Sequence, residues 1–183
     1  MLMAQATGAW TLADLDRLPD DGNTYELIDG ELFVTPAPSP VHEVLATALR
    51  ELLDQYVREE GLGRAYMAKS VIQTEGSQVE PDLMVRKTPR ILPEKWPEMP
   101  TPVLVVEVLS GITRRRDHVE KRAFYLRNGV AEYWIVNRWD RTIVVISRDA
   151  DDVIAETHFT WHPTGAKSAL VIDVAEYFRS VLG

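Results

Sequence analysis

The chain has 183 residues, 45% of them hydrophobic and 26% charged, enough for one domain with a sizeable core. It contains no cysteine, which excludes disulfides, thiol catalysis and cysteine-based zinc sites and fits a reducing compartment. A net charge of -8 argues against nucleic acid, but residues 64–148 carry 15 Lys/Arg against 10 Asp/Glu, while residues 1–63 carry 3 against 12 and residues 149–183 carry 2 against 6.

The chain begins MLMAQATGAW, without a basic stretch leading into a long apolar one, and no later apolar run is long enough to span a bilayer. The expectation is a cytoplasmic protein with no membrane partner. Residues 11–18 read as a short N-capped helix, followed by the loop Pro19-Asp20-Asp21-Gly22. Tyr25-Glu26-Leu27-Ile28 and Glu31-Leu32-Phe33-Val34 flank Asp29-Gly30, a strong hairpin signal. Ser39 then supplies an N-cap and Pro40 an N1 proline, and Val41, Leu45, Ala48, Leu49, Leu52, Leu53 and Tyr56 recur at helical spacing as far as Glu60, with Gly61 and Gly63 as the stop.

Residues 65–73 read as a strand, Thr74-Glu75-Gly76-Ser77 as a turn, and residues 79–86 as a second strand. Five prolines (Pro89, Pro93, Pro97, Pro100, Pro102) make residues 88–102 a long irregular connection, a kind of loop that is often functional. An apolar strand around Glu107 follows, then a helix over residues 117–128 capped by Asp117 and ended by Gly129. Strands are expected at 132–137, 141–147 and 153–159, and Asp173 caps a last helix reaching Leu182. The order from Ser39 to Asn137 is helix, three strands, helix, strand. It predicts a mixed α/β (α+β) fold, with a mixed sheet flanked by helices and the early hairpin extending one edge. The expected organisation is one domain over 1–183: a helix and hairpin extension (1–38), a core (39–148), and a C-terminal strand and helix (149–183).

A carboxylate between Val106 and Val108 must be paired or bound to a metal to offset its desolvation. Asp82, entering the run Leu83-Met84-Val85, is its expected companion. Two such acids on neighbouring strands suit a hard divalent cation, Mg²⁺ or Mn²⁺, with a backbone carbonyl such as that of Val108 and waters completing the shell. Lys121, on the following helix, would orient the attacking water and stabilise charge on a phosphate. Arg114, Arg115, Arg116 and Arg122, in the segment of excess positive charge, would suit a phosphate-bearing ligand. Competing structural readings stand beside these. Glu107 could pair with an arginine across the sheet, Asp82 could fix a turn, Lys121 could be a surface partner of Asp117, and Arg114-Arg115-Arg116 could be a solvated loop. For a catalytic Lys121, substitution by Ala is expected to abolish cleavage with stability nearly unchanged, a large stability loss favouring the structural reading. The five tryptophans are scattered, with packing as their default role.

Pro81-Asp82, Glu107-Val108-Leu109-Ser110, Asp117, Lys121, Tyr125, Gly129 and Glu132-Tyr133-Trp134 resemble a restriction-endonuclease-like family of the PD-(D/E)XK nuclease superfamily. The likeness extends back to Tyr25-Glu26-Leu27-Ile28-Asp29-Gly30-Glu31 and to Ser39-Pro40-Val41-His42. It implies a restriction-endonuclease-like fold with core order αβββαβ and a Mg²⁺-dependent endodeoxyribonuclease acting as a homodimer on DNA. Metal would fall on Asp82 and Glu107. The superfamily's lysine ordinarily stands two residues after the glutamate, where this chain has Leu109; the resemblance moves that role to Lys121. Glu26 and His42 are implied as supporting residues, with capping or packing as the competing role for His42, and Glu43 could be a third acid facing the metal. The chain departs from the family pattern at Ser110-Gly111-Ile112-Thr113, where Ser-Pro-Ser-Thr is usual. Two other readings remain open: a catalytically inactive nuclease-fold protein binding nucleic acid or a protein partner, and a metal-free hydrolase using Asp82 and Glu107 as an acid/base pair, for example on a glycoside.

Overall fold

A computed structural model describes residues 9–67, 71–111 and 117–183. Among them, twelve strands form three sheets, accompanied by four helices and a short 3-10 turn at Trp96–Glu98. A short helix α1 (Leu12–Leu15), capped by Thr11, leads to the hairpin of β1 (Thr24–Ile28) and β2 (Glu31–Thr35). The turn residues Asp29 and Gly30 both have positive φ, 52° and 84°, as a two-residue hairpin loop requires. Helix α2 (Pro40–Glu59) starts as expected, with the Ser39 hydroxyl accepting the His42 N–H and proline in its first turn.

The two strands expected over 65–73 and 79–86 are each divided. The first is β3 (Arg64–Met67) and β4 (Ile72–Gln73); the second is β5 (Gln78–Val79) and β6 (Leu83–Arg86). The cause of the second break is visible at Glu80-Pro81-Asp82, where Pro81 has no N–H to give a ladder. The outer pieces, β3 and β6, pair with each other, and the inner ones leave for another sheet. β4 and β5 join the hairpin in a four-stranded sheet of order β2-β1-β5-β4, so the hairpin does not extend the core sheet as expected but founds its own.

The core sheet has six strands. Besides β3 and β6 it contains β7 (Leu104–Val108), β8 (Glu132–Asn137), β9 (Thr142–Ser147) and β10 (Val153–Ala155), in the order β10-β9-β8-β7-β6-β3. Only β7 and β8 run parallel in it, because a helix crosses between them; the other pairs are antiparallel. Helix α3 opens as a π-helical stretch (Asp117–Lys121) and continues as an α-helix (Arg122–Arg127). The strand expected over 153–159 ends at Ala155. The chain then turns away into β11 (His158–Trp161), which pairs with β12 (Leu170–Asp173), a strand not foreseen, and Asp173 caps α4 (Val174–Leu182).

Strand alternation sorts the core into two layers. Leu104, Val106 and Val108 face α2, α4 and the β11-β12 pair, packing with Leu45, Leu49, Trp134, Trp161 and Phe178. Val105 and Leu109 face α3 and the four-stranded sheet, packing with Ile28, Val79, Phe124, Tyr125 and Tyr133. Glu107 shares that second face, so an acid is delivered to the seam where hairpin, core sheet and α3 meet.

The proline-rich connection is held by one buried cation. Arg86, 3% exposed, donates to the carbonyls of Met99 (3.2 Å), Pro100 (2.8 Å) and Val71 (2.9 Å), and Trp96 lies 5.9 Å from its guanidinium carbon. Burial lowers its pKa to about 10. Gly63 is required alongside, since a Cβ there would sit 2.0 Å from the Arg86 carbonyl oxygen. No residue of the connection lines the cavity described below. Arg86→Met keeps the stem and strips three carbonyls of their donor. The expected result is a loss of about 2–3 kcal/mol in urea unfolding, with site chemistry retained; an unshifted midpoint would show those carbonyls to be satisfied by other means.

Candidate active site

A cavity of about 280 Å³ opens between the N-terminus of α2, the hairpin and the C-terminal ends of β7 and β8. Glu26, His42, Glu43, Glu80, Asp82, Glu107, Lys121 and Arg138 are among its lining residues. The central pair of acids and the helix lysine, far apart in sequence, therefore share one concave wall.

Asp82 sits where β6 parts from β7. The paired register ends at Leu83 and Val106, and beyond it the Asp82 carboxylate takes the place of a strand carbonyl, its Oδ2 accepting the Val108 N–H at 2.8 Å. The same oxygen meets His42 Nε2 at 3.0 Å, and both of these bonds fall on Oδ2. Burial opposes ionisation of Asp82. The His42 hydrogen bond and charge, the Lys121 charge and the Val108 N–H outweigh it and hold the carboxyl below its usual range. This contribution to stability is present above the ordinary carboxylate pKa and is lost only as pH falls through the lowered value.

Glu107 and Lys121 form the second half. The Lys121 ammonium is 2.7 Å from Glu107 Oε1 and 2.8 Å from Glu26 Oε1, and the Tyr125 hydroxyl donates to Glu107 Oε1 at 2.6 Å. Glu26 Oε1 also accepts the backbone N–H of Glu80 at 2.9 Å, tying the hairpin to the Glu80-Pro81-Asp82 segment. Lys121 and Glu26 are each 1% exposed and Glu107 3%. Tyr125 is fully buried, and burial together with the charges of Glu107 and Glu26 raises its pKa well above the usual phenol value, so it stays a donor. The π-helical stretch ends at Lys121, four residues before Tyr125, and such stretches often mark functional positions. Two expectations for Lys121 are overturned, that it is a surface partner of Asp117 and that a catalytic Lys121 could be replaced with stability nearly unchanged: its ammonium is sealed between two carboxylates, and removing it strands both.

The supporting residues separate. Glu26 is inside the cluster and His42 is against Asp82, whereas Glu43 stands at the rim with its side chain 51% exposed. His42 Nδ1 is buried and has no hydrogen-bond partner among the described residues. Arg122 does not line the cavity and makes a two-point ion pair with Asp152, one contact at 2.8 Å. Arg114, Arg115 and Arg116 lie outside the described residues, as do Ile112 and Thr113. Tyr125 and Arg138 had been given no role. Tyr125 was discoverable, because i and i+4 positions share a helix face.

Among the described residues no three His, Asp or Glu side chains converge as a ready metal cage. The donor set nevertheless suits a cation that keeps part of its water. Asp82 is held below the usual carboxylate range, and five acids (Glu26, Glu43, Glu80, Asp82, Glu107) line the cavity with two basic side chains, Lys121 and Arg138. Two carboxylates with a backbone oxygen and water are the coordination Mg²⁺ favours over an all-protein cage.

His42 offers a direct check of this electrostatic picture. Burial lowers its pKa, but the Asp82 hydrogen bond, the charges of Asp82 and Glu43 and the Val108 backbone raise it above 6.5 overall. In metal-free protein, NMR titration is expected to give His42 a pKa above 6.5 and Asp82→Asn to bring it down; an unmoved His42 would dissociate it from Asp82. A raised histidine pKa stabilises below the unfolded value, and the effect is lost as pH rises through the folded one.

No helix among the described residues is long and apolar enough to cross a membrane. A search of curated proteins finds no match. A crystal structure of a "putative nuclease belonging to DUF820" from Anabaena variabilis superposes with a TM-score of 0.78 at 20% identity, covering 94% of this chain and 99% of that one. At that identity the likeness is one of fold, and it bears out the mixed α/β architecture. The Uma2 family model, described as "Putative restriction endonuclease", matches residues 12–174.

Proposed function

We propose that this chain, which belongs to the Uma2 family, is a Mg²⁺- or Mn²⁺-dependent endonuclease that hydrolyses phosphodiester bonds in DNA. The observation that carries the reading is the meeting of Asp82, Glu107 and Lys121 on one cavity wall, with both acids anchored by groups that keep them charged or oriented. Asp82 and Glu107 would hold the ion. When bound, it supplies charge neutralisation at the phosphate and a water of lowered pKa.

The chain's own groups do the rest. Asp82 is pinned through Oδ2 by His42 and the Val108 N–H, which would orient its carboxylate as a ligand. Glu107 is aimed by Lys121 and Tyr125. Lys121 places a fixed positive charge beside the reacting phosphate in a site shielded from water, where such a charge is worth most. Glu26 keeps that ammonium in place and, through the Glu80 N–H, keeps Asp82 in register with it. The remaining parts, a homodimer working in the cytoplasm, rest on the likeness to nucleases that cut two strands and on the cysteine-free composition.

The test is incubation of purified protein with labelled single-stranded, duplex and branched DNA in Mg²⁺, Mn²⁺ or EDTA. Metal-dependent products that vanish in EDTA are expected. Products that persist in EDTA would revive the metal-free hydrolase. Binding without cleavage on any substrate would favour an inactive nuclease-fold protein, a reading to which the altered residues Ser110-Gly111 after the Glu107 strand lend support.

A further inference from the structure

Strands β7 and β8 run parallel with Val108 opposite Val136, so their C-terminal ends emerge together. One carries Glu107 into the cavity; the other runs directly into the turn Asn137-Arg138-Trp139-Asp140. That turn is built to be rigid. The side chain of Asn137, 6% exposed, accepts the N–H groups of Trp139 (3.1 Å) and Asp140 (3.3 Å) and donates to the Asp140 carboxylate at 2.7 Å.

What the turn presents has no structural employment. Arg138 lines the cavity, yet among the described residues it makes no ion pair and no hydrogen bond, in a cavity where acids predominate. Its guanidinium carbon lies 4.6 Å from the centroid of the Trp139 ring. Trp139 is 47% exposed, while Trp134 and Trp161 are buried at 0% and 1% and Trp96 packs against Tyr66 and Arg86. An unpaired cation and an exposed indole, fixed side by side at the edge of an acidic cavity, match the two halves of a nucleotide: anionic phosphate and flat base.

We propose that Arg138 and Trp139 form a nucleotide-holding element of this site, in which Trp139 stacks on an unpaired base beside the scissile phosphate and Arg138 contacts a neighbouring phosphate. The inference rests on the phosphodiesterase reading and sharpens its substrate class. A base can lie on Trp139 only when it is out of a duplex stack, so the favoured substrates are single-stranded or branched DNA rather than intact duplex.

The experiment measures binding of fluorescent single-stranded, duplex and forked DNA by anisotropy in Ca²⁺ and in EDTA, and cleavage of the same DNAs in Mg²⁺ and Mn²⁺. Wild type is expected to bind single-stranded and forked DNA more tightly than duplex. Trp139→Ala should weaken single-strand binding by roughly 5- to 150-fold, the affinity carried by one base–aromatic stack, and leave duplex binding near wild type. Trp139→Phe should restore most of the loss. Arg138→Ala should flatten the slope of log affinity against log salt on single strands by about 0.7, one phosphate contact. If wild type cleaves DNA but Trp139→Ala binds single strands as tightly as wild type, this inference fails alone. Equal losses on duplex and single strand overturn it too. If wild type neither binds nor cleaves any of the three DNAs, the nuclease reading and this inference fail together.

Discussion

Lys121→Ala is expected to cut DNA cleavage by at least about 100-fold and, in the same protein, to lower the free energy of unfolding by about 3–5 kcal/mol. The second effect follows from the two bonds at 2.7 and 2.8 Å that give Glu107 and Glu26 a common counter-charge at almost complete burial. Without the ammonium, two carboxylates remain in one dry seam with no cation between them. A triple variant, Glu26→Gln with Glu107→Gln and Lys121→Met, removes all three charges and should recover much of the lost stability, since an apolar or neutral replacement of a buried charge cluster is often tolerated. It should recover none of the cleavage. Urea titration and a cleavage assay on the same preparations read both quantities. A Lys121→Ala protein with the wild-type midpoint would mean that the cluster is not sealed as described.

Asp82→Asn separates chemistry from stability in the opposite sense. The amide oxygen can still accept the Val108 N–H, so the expected unfolding loss is only about 1–2 kcal/mol. It can no longer give an ionised ligand, and cleavage is expected to fall by about 1,000-fold or more, the equivalent of several kcal/mol of transition-state charge stabilisation. Calorimetric titration with Mn²⁺ should show the parallel loss of binding. Retained Mn²⁺ affinity with lost cleavage would take Asp82 out of the ligand set and leave it as the residue that fixes β6 against β7. Taken as a pair, the two substitutions distinguish a residue that holds the fold and the site together from one that serves the site alone.

Much of this arrangement was legible from local patterns. The helical spacing from Val41 to Tyr56 and the Asp29-Gly30 turn need no information beyond their own windows, and α2 and the hairpin formed where those patterns put them. An acid between Val106 and Val108 could be flagged because a charge in an apolar strand demands a partner. What escaped was set by distant contacts. Residues 65–73 and 79–86 have the alternation of continuous strands, and nothing in alternation says that each will divide between two sheets; Pro81 was the available signal for one break. The hairpin was assigned to the core sheet because strand pairing cannot be read without its partner, and that partner, β5, lies some fifty residues on. Lys121 was hardest to place. A lysine in a helix beside Asp117 and Glu120 looks like any solvated position, and it is the approach of Glu107 from β7 and Glu26 from the hairpin that encloses it. Arg138 and Trp139 were hidden for a similar reason: the parallel register of β7 and β8, not the composition of the turn, brings Arg138 to the cavity that Glu107 lines.

The most direct measurement is an anomalous difference map from crystals soaked in Mn²⁺. The account predicts one strong peak in the cavity within about 2.2 Å of a carboxylate oxygen from both Asp82 and Glu107, the oxygen-ligand distance of a small divalent ion, with Lys121 still against Glu107. A cavity without a peak at saturating Mn²⁺, or a peak bound by one of the two acids and not the other, would contradict it.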